Sequence, residues 1–88
     1  MKVKTSTGFA ADIDDNILDD WEYLENLNKA DKGDVDALLK VYLAALGDEQ
    51  YEALKEHCRN EKTGRISSKR MQNEFLELLN GDEDSKKF

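Results

Sequence analysis

The spacing of apolar residues changes several times along this chain, and each change marks an element. Between residues 2 and 13, Val3, Thr5, Phe9, Ala11 and Ile13 are spaced in steps of two on either side of Ser6-Thr7-Gly8. A period of two is that of a strand with one covered face, and glycine can supply the positive φ of a three-residue hairpin loop. The segment therefore reads as a β-hairpin. A lone hairpin is marginal in water, so the face carrying Val3, Phe9, Ala11 and Ile13 is expected to lie on helices.

Beyond the hairpin the period lengthens to three or four residues, the spacing of a helix with one buried stripe. Asp14 or Asp15 can cap a first helix over about 15–30, with Ile17, Trp21, Leu24 and Asn28 in line, Leu18 and Leu27 beside them, and Glu22, Glu25 and Asn26 flanking. Asp34 opens a second helix, 34–46, through Val35, Leu38, Leu39, Tyr42, Leu43 and Leu46. Gly47 is a left-handed stop and Asp48 a new cap, so a third helix, 48–60, follows across a sharp corner with Tyr51, Leu54, His57 and Cys58 inward. After the polar turn 60–64, Ile66 tucks inward and Ser67 caps a fourth helix, 68–80, carrying Met71, Phe75, Leu78 and Leu79. The expected fold is mainly α: an N-terminal β-hairpin packed on a compact bundle of about four helices, one domain over 1–81. The stretch 82–88 has no periodic face and is expected to be a disordered charged tail.

Composition narrows the function. The chain has 88 residues, enough for one domain, and 39% of them are apolar against 38% charged, which suits a small globule with a well-hydrated surface. Twenty acids against thirteen Lys and Arg give a formal charge of -7, a sign that repels phosphate backbones and anionic lipid. Nucleic acid and membrane are therefore not expected partners. No run approaches the roughly 18 apolar residues that cross a bilayer, and no signal-peptide core follows Met1 to Thr5, so the protein is expected to stay in the cytoplasm where it is made. Cys58 is the one cysteine, which excludes an internal disulfide and suits a reducing compartment.

Candidate chemistry is sparse. The stretch Glu61 to Ser67 imitates the centre of an EF-hand loop, but with Gly64 at the bend the first and twelfth positions fall on Arg59 and Arg70, where calcium needs carboxylate or carbonyl oxygen. A plain connection between helices, with Ile66 inward, is the expected reading. His57 and Cys58 are neighbours on a helix, about 100° apart, so they cannot act as base and nucleophile for one another. Two ligands also fall short of the four a zinc site takes. The carboxylates between Asp12 and Asp36 sit where caps, first turns and polar faces place them. No phosphate loop or nucleophile elbow is present. No catalytic, cofactor or metal residue is assigned, and an enzyme is not expected.

Large apolar side chains exceed what one narrow stripe hides in so small a domain: Leu38, Leu39, Tyr42, Leu43 and Leu46, then Phe75, Leu76, Leu78 and Leu79. Such a surplus is either core or a groove for a partner helix or a second copy. Lys62, Arg65, Lys69 and Arg70 form the one basic patch, either a solvated turn or a contact for an acidic partner. The candidate partner-binding residues are Leu39, Tyr42, Leu43, Leu46, Leu76, Leu79, Arg65 and Arg70.

The order of features is also that of a known family. A short hairpin, an Asp-rich entry to the first helix, Leu46-Gly47-Asp48-Glu49-Gln50-Tyr51-Glu52-Ala53-Leu54, Thr63-Gly64-Arg65-Ile66-Ser67 and a helix from Met71 to Leu79 resemble, over residues 2 to 80, the tail assembly chaperones of long-tailed bacteriophages and prophages of Gram-positive bacteria. The resemblance implies a factor in the host cytoplasm that binds the long, helical, apolar tape measure protein, keeps it soluble and helps recruit tail tube protein. It also implies an extended form made by ribosomal frameshifting near the end of the reading frame. It brings no catalytic or metal residues and assigns no contact residues. A rival expectation is a small acidic regulatory or inhibitor protein, of the nucleic-acid-mimic or antirepressor type.

Overall fold

In a computed structural model the described residues are 1–80, and the expected tail at 82–88 lies outside them. The chain opens with strands β1 (Lys2–Lys4) and β2 (Ala10–Asp12), paired antiparallel in the register Lys2↔Asp12, Val3↔Ala11, Lys4↔Ala10. The loop closes through Thr5 N–H to Phe9 O at 2.8 Å, and Gly8 takes φ 97°, the positive value its position requires. Val3, Thr5, Phe9, Ala11 and Ile13 are buried on one face. That face lies on helices, as the alternation predicts.

A single 3-10 turn (Ile17–Asp19) leads into α1 (Trp21–Asp31). Two expectations are corrected here. The helix starts at Trp21 rather than near residue 15, because Asp20 takes the cap by accepting from Tyr23 N–H at 3.2 Å, while Asp14 is spent on the turn at Asn16 N–H, 2.9 Å. Its inward line is Tyr23, Leu27 and Ala30 rather than Trp21, Leu24 and Asn28, while Ile17, in the turn before it, packs against the core as expected. Tyr23 is drawn in because its hydroxyl donates to Val41 O at 3.1 Å inside the core. Trp21, 74% exposed, is left outside with Leu18 and Leu24.

Helix α2 (Val35–Cys58) is capped by Asp34, which accepts from Ala37 N–H at 3.1 Å. Gly47 interrupts it with φ 75° and ψ 169°, a region essentially restricted to glycine. The two central helices expected from the sequence are thus the arms of one element kinked at Gly47. No residue separates Gly47 from the new turn, so the described residues form three α-helices where about four were expected. After the turn at 60–64, Ser67 Oγ accepts from Arg70 N–H at 3.2 Å and starts α3 (Ser68–Asn80).

The core joins all these parts. Ile13, Val41, Leu54, Cys58 and Leu78 are fully sealed, and Tyr42 meets Phe75 edge-on at 4.4 Å and stacks on Tyr51 at 5.9 Å. Tyr42 thereby ties the first arm of α2 to its second arm and to α3. Gln50 fastens the hairpin to α2: its amide accepts from Asp12 N–H at 2.6 Å and donates to Asp12 O at 3.0 Å. Among the described residues no helix is long and apolar enough to cross a membrane.

Candidate functional site

Helix α3 buries Met71, Phe75 and Leu78, and its two flanks do different work. On one flank Gln72, Leu76 and Leu79 face a groove of about 320 Å³, walled opposite by Leu27, Ala30 and Asp31 of α1 and by Gly33. Leu38, Val41, Tyr42 and Phe75 complete its lining. Leu76 is 58% exposed at its edge, a large aliphatic side chain that folding has not covered. An apolar channel between three helices is a shape that takes the apolar face of a further helix.

The expected contact residues divide. Leu76 and Leu79 line the groove. Tyr42 and Leu46 are both buried: Tyr42, between Phe75 and Tyr51, forms the floor of the groove, and Leu46 does not line it. Leu39 and Leu43 are partly exposed together with Val35, along an outer line of α2 that does not line the groove. Arg65 is exposed on the turn. Arg70 holds the end of α2, donating from Nη2 to His57 O at 3.0 Å, where a cation complements the helix dipole. In the EF-hand-like turn Arg59 fills the bend, its Nη1 donating to Gly64 O at 2.7 Å and its Nε to Glu56 at 2.6 Å.

The other flank of α3 carries a network the sequence did not announce. Glu74 is only 4% exposed, and its carboxylate accepts from the hydroxyls of Thr5 (2.8 Å) and Thr7 (2.9 Å) at the hairpin loop. Glu77 accepts from Ser6 N–H and Oγ at 2.8 and 3.0 Å. Thr7 Oγ1 also lies 2.8 Å from His57 Nε2. Nucleophile, base and acid are thus together, but in the wrong order. In a working triad the carboxylate holds the far ring nitrogen; here Glu74 takes the hydroxyl proton itself and lies 3.6 Å from the same Nε2. With its one proton directed at Glu74, Thr7 accepts from His57 in the tautomer that carries hydrogen on Nε2. The arrangement ties the hairpin to the helices.

Burial raises the phenol of Tyr42 above its ordinary value, with Tyr51 and Cys58 adding to the effect, and it raises Tyr23 in the same way. The Cys58 thiol is also pushed up by burial, against a smaller opposing pull from Arg70. A sealed, neutral thiol is a packing group rather than a reactive one. Comparison with protein families, curated proteins and solved structures finds no match for this chain.

Proposed function

We propose that the protein is a tail assembly chaperone of a long-tailed phage or prophage, working by binding rather than catalysis in the cytoplasm of the bacterial host. The tape measure protein is a long, apolar, helical chain, and such a chain needs its stripe covered until tail tube protein surrounds it. The groove between α1, α2 and α3 supports this reading, with Leu76 exposed at its edge and Tyr42 and Phe75 beneath. The acidic surface helps keep a loaded complex apart from its copies. Co-expression tests it directly. A tape measure protein from the same phage or prophage should stay soluble and co-purify with the wild-type chain, and should precipitate with Leu76→Glu; equal rescue by both would count against the groove.

A second reading draws on the acid-rich stretch Asp12 to Glu25: an inhibitor that imitates nucleic acid for a basic DNA-binding protein. Salt separates the two. A mimic loses its partner steeply as ionic strength rises, while an apolar helix in a groove is held through it.

A further inference from the structure

We infer that the helix received by the groove is amphipathic with a basic end, its apolar stripe running into a cluster of Lys or Arg that meets Trp21, Leu24 and the acids around them; this rests on the groove reading under "Proposed function". Leu27 and Asp31 line the groove from α1. Leu24 stands three residues before Leu27 and seven before Asp31, so the same edge of the helix carries it one turn further. Trp21 is three residues beyond that, and both side chains are exposed, Leu24 at 39%. The apolar edge thus leaves the groove and continues toward the start of α1.

Along that continuation the charge changes. Asp12, Asp14, Asp15, Asp19, Asp20, Glu22 and Glu25 fall between Lys4 and Lys29 with no Lys or Arg among them, so this one stretch carries the formal excess of -7. Some of these acids are engaged within the fold: Asp12 and Asp15 pair with the Met1 ammonium at 3.1 and 2.7 Å, and Asp20 caps α1. Asp19, Glu22 and Glu25 are exposed and form no ion pair with a described residue.

An exposed indole beside unpaired carboxylates defines the chemistry of what covers it. A purely apolar segment would strip water from those acids with nothing to replace it. A purely electrostatic partner would have no use for the indole. Lys and Arg satisfy both, because their stems pack on apolar surface and their charged heads reach the indole face and the carboxylates. Such a gradient, apolar in the groove and acidic beyond it, also sets the direction in which a helix lies.

Trp21 is the one tryptophan, so its emission reports on this contact. The full chain would be titrated with three synthetic helical peptides: a leucine stripe ending in lysines, the same stripe ending in glutamates, and the lysine end with serines in place of the leucines. The first should bind with a blue shift of Trp21 emission, about tenfold more tightly than the other two at low salt, and its lead over the glutamate twin should close at high salt. Equal affinity of the lysine and glutamate twins would overturn the inference and leave the groove reading standing. Equal binding of the serine peptide would overturn it in favour of a purely electrostatic mimic. Tight binding without any change at Trp21 would overturn the placement, and binding by none of the three would overturn the groove reading as well.

Discussion

Tyr42 and Phe75 meet edge to face at 4.4 Å, and the same two rings form the floor of the groove that Leu76 borders. The residues that hold α2 against α3 are therefore the residues a bound helix would rest on. Substitutions should separate the two roles by depth.

At the rim, Leu76→Glu should change stability by less than about 1 kcal/mol, since the side chain is already largely in water, yet abolish capture of an apolar helix. Two residues further along α3, about 200° around the helix, Leu78 is on the opposite footing. It is fully buried, and Leu78→Ala should cost about 2–5 kcal/mol by leaving a cavity. Urea unfolding of both variants, beside a binding assay, checks the contrast.

Leu43 lies outside the groove lining on the outer line of α2. Leu43→Glu should leave the fold intact and helix capture within about threefold of wild type, a change under about 1 kcal/mol. A loss matching that of Leu76→Glu would move the contact surface to the outer face of α2.

Gly47→Ala should destabilise by about 1–3 kcal/mol although the added methyl group meets nothing within 4 Å. The cost lies in the backbone, which at φ 75° and ψ 169° has no comfortable place for a side chain. Thermal unfolding by circular dichroism would show a lowered midpoint with helix content retained below it.

Alkaline pH should unfold the protein. Cys58, Tyr23 and Tyr42 all titrate higher in the fold than their ordinary values of 9.0 and 10.0, because burial disfavours their anions. The unfolded chain therefore releases these protons first. Stability is fully present below the ordinary thiol value and is lost as pH rises toward the folded values. Melting points measured from about pH 8 to about pH 11 should fall steadily, and Cys58 should resist alkylation until the chain unfolds.

Glu74 receives hydroxyls from Thr5 and Thr7, so replacing it by Ala strips the buried Thr5 hydroxyl, and the more exposed Thr7 hydroxyl, of their acceptor. A loss of about 1–3 kcal/mol is expected, with hydrogen exchange rising first in the hairpin. Thr7→Val should do less, because it removes only one of the donors.

Features set by neighbours in sequence are legible in the sequence itself. Gly8 in a three-residue loop, Asp34 and Ser67 as caps, and Gly47 as a break each act within a few residues. The face of α1 was not legible, since Tyr23 turns inward for a carbonyl at Val41 and several aspartates compete to cap one helix. The Thr5–Glu74 bond spans 69 positions and leaves no periodic trace. The apolar surplus was visible as composition, but its division depended on the fold: Tyr42 and Leu46 were drawn inside, while Leu76 was left at the groove.

The groove is tested most directly by mapping amide shifts of the labelled protein as an apolar helical segment of the tape measure protein is added. A helix held there should move Leu27, Ala30, Leu38, Gln72 and Leu76 together, saturably, with Trp21 following. Shifts confined to Lys62, Arg65 and Lys69, or none at all from a folded sample, would contradict it.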